Sequence, residues 1–330
     1  MSGVKCINRI LAAALAASLT IGLTGCSGGE VLDRYDIYAD TVSYGINGVD
    51  AADTAAFFTD DKCIPIKKNR GTKKVDSSVS EAGGLFNIDK REILYAKNIN
   101  ERMYPASTTK ILTAYTAVKY GNLDDKITVS EKALKIDPDS SVCNLAVGDK
   151  LTLRDLLYGL MLRSGNDAAV AIAEGVGGSV EGFVSLMNQE AKALGATSSH
   201  FVTPNGLHDD NHYTTIYDMY LITQAAVSDP EVLQFMSASE YEVSYKGKDG
   251  GKKTQSWSNT CQYLNGKSTP PEGITVIGAK TGTTGAAGYC LVSYATNSSG
   301  EHLINIVYKS GSRWNLYYLM DQVFETFGNK

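Results

Sequence analysis

The 330-residue sequence has no internal repeat and no low-complexity tract, and no apolar run of the roughly 20 residues that a bilayer-spanning helix needs. It has no cationic excess either. The 31 Lys and Arg stand against 36 Asp and Glu, so neither nucleic acid nor electrostatic attraction to an anionic membrane is expected. Its six cysteines show no metal-ligand spacing, and among its four histidines only His208 and His212 stand at an i,i+4 interval. Asp209, Asp210 and Asn211 between them read as a loop, not as a helical zinc motif, so no metal and no cofactor are expected. His200 and His302 have no neighbours that point beyond surface or packing roles. What remains is an ordinary globular composition, 43% hydrophobic and 20% charged, long enough for one large domain or two small ones.

Residues 1–25 stand apart from that body. Lys5 and Arg9 are their only charges, followed by an apolar stretch from Ile10 to Leu23 that is too short to span and reads as a signal-peptide core. The stretch closes on Leu23-Thr24-Gly25-Cys26, which resembles a bacterial lipoprotein processing site, with Cys26 as the lipidated first residue. The alternative is a plain signal peptide that ends near a cysteine. Without Lys5 and Arg9 the net charge moves from −5 to −7. Attachment to the outer face of the cytoplasmic membrane would come from acyl chains, not from a helix in the bilayer. Of the remaining thiols, Cys63, Cys143, Cys261 and Cys290 permit three disulfide pairings; free thiols are the preferred reading. Residues 26–80 carry little pattern. The charge run Lys67–Lys74 has no periodicity, and a tether is expected there, with a small folded extension as the runner-up.

The patterned body starts near Glu81. Gly84–Ile88 and Glu92–Ala96 read as a β-hairpin around Asp89-Lys90-Arg91. Apolar residues at 111, 112, 115 and 118 predict a helix that Gly121 stops. Thr152 caps a strongly apolar helix that breaks at Ser164-Gly165-Asn166, and a second begins at Asp167. Val180–Leu194 is a third, and Thr215 with Asp218 opens a fourth over Ile216–Val227. Beyond Pro230 the chain turns to strands: Tyr241–Tyr245, a Gly/Lys-rich turn at 246–253, then Ile274–Lys280, Gly288–Ala295 and Leu303–Lys309. An amphipathic helix spans about Arg313 to Phe327. Strands at both ends with helices between predict an α+β fold: one antiparallel sheet closed by the two termini, plus a helical lobe.

The chemistry concentrates at three places. Ser107-Thr108-Thr109-Lys110 lies at a helix start, with the lysine three residues on and on the serine's face. A serine hydroxyl needs an adjacent base, and a lysine can be one if burial and a second cation lower its pKa. The helix N-terminus adds free N–H groups where negative charge develops. Alone this spacing means little, because Ser2-Gly3-Val4-Lys5 satisfies it too. Ser164-Gly165-Asn166, however, is the sequence's one Ser-x-Asn, and it interrupts an apolar helix pair. Lys280-Thr281-Gly282 is its one Lys-Thr-Gly, at a strand end where glycine permits close approach of a substrate backbone, and Thr283 follows.

Ser-x-x-Lys, Ser-x-Asn and Lys-Thr-Gly in this order resemble the active site of penicillin-binding proteins and serine β-lactamases. Tyr104–Lys110, Leu156–Ala169 and Phe201–Leu207 extend the likeness to the low-molecular-mass D-alanyl-D-alanine carboxypeptidases, over about residues 81–327. The resemblance implies a β-lactamase/transpeptidase-like catalytic domain over 81–330 without the family's usual C-terminal β-domain and membrane helix, whose anchoring role the lipid on Cys26 would take. It implies a peptidoglycan stem peptide ending in D-Ala-D-Ala as substrate and β-lactams as covalent inhibitors. Ser107 would be the nucleophile, Lys110 its base and Ser164 the proton relay, with Lys280 depressing the charge on Lys110. Asn166 would orient Lys110 and the substrate amide. The N–H groups of Ser107 and Thr283 would hold the oxyanion. Thr281 and Thr283 with Lys280 would take the terminal carboxylate, Gly282 would let the substrate backbone approach, and Arg313 is a further candidate for the carboxylate. A β-lactamase is the nearest rival, but no glutamate lies between Glu190 and Glu231 to drive deacylation, and Glu190 falls inside a helix. A non-catalytic wall-binding lipoprotein is the rival from another class.

Overall fold

Ala82–Asn87 (β1) and Glu92–Lys97 (β2) form the expected hairpin, with a bulge between Leu85 and Phe86. This computed structural model describes residues 61–329; the expected leader over 1–25, Cys26 and the first part, 26–60, of the expected tether lie outside them. In chain order follow the helix Lys110–Tyr120 (α1), the short strands Lys126–Thr128 (β3) and Lys150–Thr152 (β4), and the helices Leu153–Leu162 (α2), Asn166–Gly177 (α3), Val180–Ala193 (α4), Ile216–Ser228 (α5) and Pro230–Ser237 (α6). The strands Glu240–Lys246 (β5), Lys252–Ser258 (β6), Thr275–Thr284 (β7), Gly288–Thr296 (β8) and His302–Ser310 (β9) come next, and Arg313–Val323 (α7) runs into a π-helical turn at Phe324–Gly328.

In β9, Leu303 and Val307 point to one face and Ile304, Ile306 and Tyr308 to the other, and all five are buried. A strand apolar on both sides belongs inside a sheet that is covered on both faces. β9 therefore sits at the centre of a five-stranded antiparallel sheet ordered β2-β1-β9-β8-β7, which joins the two ends of the described chain as expected. One face packs on α7 through Leu316, Leu319, Met320 and Val323. The other packs on the helical lobe, where Phe86 stacks on Tyr220 of α5 at 4.2 Å.

At the centre of the lobe lies α1, touched by α2, α3, α4, α5 and α6. Its Ala114, Ala117, Thr113 and Thr116 are all buried, and such small side chains let neighbouring helices approach closely. Caps fix the other helices. Thr152 and Asp155 form a reciprocal capping box on α2, Thr215 accepts from the Asp218 N–H on α5, and Ser312 accepts from the Asn315 N–H on α7.

Three features differ from expectation. Residues 61–80 are not tether. Cys63 is fully buried, its N–H donating to Tyr220 Oη at 2.9 Å and its carbonyl accepting from Tyr217 Oη at 2.8 Å, and Arg70 makes a β-bridge with Ala96. Single anchors of this kind leave no periodicity for a sequence reading to find. Secondly, Pro230–Ser237 is helical, with Pro230 in its first turn and Asp229 as cap. Thirdly, β6 begins inside the stretch expected to be a turn, and β3-β4-β5-β6 make a second, four-stranded sheet. The four cysteines 63, 143, 261 and 290 are free and buried.

Candidate active site

A single 3-10 turn, Ala106–Thr109, leads into α1 and carries Ser107. Two glycines let other segments press against it. Gly206 sits at φ +80°, and a Cβ there would stand 2.0 Å from the Ala106 carbonyl oxygen. Gly282 on β7 lies so close that a Cβ would be 3.0 Å from the N atoms of Ser107 and Thr108. The strand bearing Lys280, Thr281 and Thr283 thus crosses directly beside the serine. Ala106 and Ser164 themselves adopt left-handed backbone, φ 48° and 57°, a costly conformation for residues with a side chain.

Behind Ser107 lies Lys110, fully buried at the first position of α1. Its Nζ is 2.9 Å from Ser107 Oγ, 2.7 Å from Asn166 Oδ1 and 2.7 Å from the main-chain carbonyl of Asn205. The last two partners only accept hydrogen bonds. A neutral amine has two hydrogens and one lone pair. With both hydrogens donated to Asn166 and Asn205, the lone pair faces Ser107 Oγ. Burial strips the ammonium of water and the nearby Lys280 repels it, so the pKa of Lys110 sits well below 10.5.

Lys280 stands in the same relation to the second serine. It is buried, its Nζ is 3.0 Å from Ser164 Oγ and 2.9 Å from the Thr281 carbonyl, and burial pulls its pKa down to about 7. The Ser-x-Asn turn is braced from behind. Asn166 N–H donates to the Ser141 carbonyl at 2.9 Å, and the buried Asp167 carboxylate accepts from the N–H groups of Cys143, Leu145 and Ala168.

Ser107, Ser164, Thr281, Gly282, Thr283 and Arg313 line one cavity of about 180 Å³, while Lys110, Asn166 and Lys280 stand behind its wall. All nine sequence-selected residues among the described ones therefore meet at one cleft. The cavity also holds Cys290, whose thiol burial pushes up to about 12, so it stays protonated and is no rival nucleophile. Sequence reasoning missed the Asn205 carbonyl as a partner of Lys110, and Thr260, whose Oγ1 lies 2.7 Å from Thr281 Oγ1. It also missed His212. The buried His212 Nδ1 accepts from the Val202 and Thr203 N–H groups at 3.1 and 3.3 Å, so Nε2 carries the proton and donates to Thr109 Oγ1 at 2.9 Å. The signal was the Phe201–Leu207 block, whose Gly206 and Asn205 had no assigned task.

A hydroxyl at a helix start, a buried amine of lowered pKa within hydrogen-bond reach of it, and a second serine–lysine pair across the cleft are the parts that serine acyl transfer with a lysine base would need. The chain belongs to the D-alanyl-D-alanine carboxypeptidase family, peptidase S11, whose model matches residues 72–311. It is 36% identical over 230 residues to D-alanyl-D-alanine carboxypeptidase DacA of Haemophilus influenzae, covering 68% of this chain and 55% of that protein. It is 35% identical over 248 residues to the D-alanyl-D-alanine carboxypeptidase of Streptomyces sp. strain K15, covering 71% and 82%. The crystal structure of the Streptomyces K15 DD-transpeptidase superposes with a TM-score of 0.68 at 32% identity, over 75% of this chain and 97% of that one. The chain spans about half the length of the first two curated relatives it matches, 55% and 52%.

Proposed function

We propose that this protein is a serine-type D-Ala-D-Ala carboxypeptidase that removes the terminal D-alanine from peptidoglycan stem peptides and is acylated by β-lactams. The observation that carries the reading is the set of three contacts around Lys110 Nζ, which leaves its lone pair for the Ser107 proton. Ser107 Oγ bonds to the carbonyl carbon of the penultimate D-alanine as Lys110 takes the hydroxyl proton. The oxyanion is held by the N–H groups of Ser107 and Thr283, a device worth about 3–4 kcal/mol per donor. The C–N bond then breaks, and the leaving nitrogen takes the proton held on Lys110, relayed through Ser164, which Lys280 contacts at 3.0 Å, so that Lys110 is neutral again. Water adds to the acyl ester as Lys110 takes its proton, and the ester C–O bond breaks as Ser107 Oγ recovers that proton, which frees the shortened peptide. Thr281, Thr283, Lys280 and Arg313 receive the terminal carboxylate, and Asn166 holds both Lys110 and the substrate amide.

In this reading residues 1–25 are a signal peptide and the mature protein is held by acyl chains on Cys26 at the outer face of the cytoplasmic membrane. Mass spectrometry tests the catalytic part. Incubation with a pentapeptide ending in D-Ala-D-Ala should release one D-alanine, and penicillin should leave a long-lived adduct on Ser107. Rapid turnover of penicillin would favour a β-lactamase, and an adduct without D-alanine release a binding protein. Ser107→Ala should lose both signals; retained labelling would refute the assignment.

A further inference from the structure

Beside the catalytic cavity lies a second one of about 410 Å³, and Thr260 and Arg313 line both. Its wall carries three cations, Arg163, Lys267 and Arg313, and not one carboxylate. None of the three forms an ion pair among the described residues. Other surface lysines do: Lys119, Lys132, Lys253 and Lys309 each meet a carboxylate within 3.3 Å. A chain of net charge −5 thus leaves three like charges unneutralised around one hollow, an arrangement that an anion stabilises.

The wall is held in place by its own bonds. Arg163 ends α2 and immediately precedes Ser164. Lys267 rides on the 259–268 loop, where Asn265 Nδ2 donates to the Asn259 carbonyl at 2.8 Å and Lys267 N–H to the Gln262 carbonyl at 2.9 Å. Gln262 N–H in turn donates to Tyr317 Oη at 2.8 Å, tying the loop to the helix that starts with Arg313.

Thr281 and Arg313 take the substrate's terminal carboxylate in the proposed function, and the hollow begins at Arg313 and at Thr260, the partner of Thr281. It therefore opens past the carboxylate end, on the side of the residue that leaves. The methyl side chain of D-alanine carries no group that would pair with these cations. We propose that Arg163 and Lys267, with Arg313, form an anion subsite for the leaving residue, so that the enzyme accepts a C-terminal D-amino acid longer than alanine whose side chain carries a second carboxylate. This inference rests on the carboxypeptidase reading.

The test compares kcat/KM for three peptides alike up to the penultimate D-alanine and ending in D-Ala, D-Glu or D-Gln. D-Glu should be released about fivefold faster than its neutral isostere D-Gln, the size of a favourable exposed ion pair. The preference should shrink toward unity at roughly 1 M salt, where charges a few ångströms apart are screened. It should reside in KM, vanish in the Arg163→Gln, Lys267→Gln double variant and survive in Arg163→Lys; penicillin labelling of Ser107 checks that each variant is folded. Equal rates for D-Glu and D-Gln, with D-Ala released normally, would overturn the subsite alone, as would a preference that persists in a folded double variant. Failure of the wild type to release D-Ala would overturn the proposed function and the subsite with it.

Discussion

In the proposed reaction Lys110 is the residue on which the chemistry turns, and its protonation state is set by what surrounds it rather than by its identity. Two acceptors at 2.7 Å use both hydrogens of the neutral amine, and the same burial that removes water penalises the charged form. Lys110→Met keeps the volume and removes the base. Loss of a positioned general base costs about 10²–10⁴-fold, so kcat/KM for D-alanine release should fall within that range in a steady-state assay. Wild-type Tm would show whether folding is spared. Lys110→Arg should not rescue, because a guanidinium stays protonated and offers no lone pair.

At the scale of elements, the site is a junction of three backbone segments, and small residues decide how near they come. Gly206→Ala would place a methyl group 2.0 Å from the Ala106 carbonyl and force a left-handed φ on alanine. The left-handed backbone alone costs about 1–3 kcal/mol, so thermal unfolding should shift down by at least that much, with penicillin labelling slowed as the Ser107 turn is displaced. Asp167 is a brace of a different kind. Asp167→Ala would orphan the N–H groups of Cys143 and Leu145, each at about 1–3 kcal/mol, and loosen the loop behind Ser164. Denaturant unfolding should register that loss. The same junction shows what a sequence can and cannot display. Caps and 3.6-residue periodicity announced α2, α4 and α5, and the three motifs announced the side chains. The Asn205 carbonyl had no signature, because every residue carries one. β6 was hidden because only Trp257 among its side chains is buried, leaving a polar run that reads as a turn. Residues 61–80 were hidden because isolated contacts such as Cys63 to Tyr220 repeat with no period.

For the molecule as a whole, pH acts on stability and on rate through different groups. His212 is buried and neutral, its pKa lowered by burial from 6.5 to about 4. The unfolded chain binds this proton first, so folding stability is intact above pH 6.5 and declines as pH falls toward 4, by about 3 kcal/mol for a shift of this size. Denaturant midpoints measured across that window should fall, and should fall less in His212→Gln. Rate responds to the lysines. The measurement that bears most directly on the account is the pH dependence of Ser107 acylation by penicillin in the intact enzyme. If a neutral Lys110 takes the serine proton, acylation is lost only as acid protonates that amine, on a limb well below 10.5. A rate that goes on rising through 10.5, as an ordinary exposed lysine requires, would contradict it.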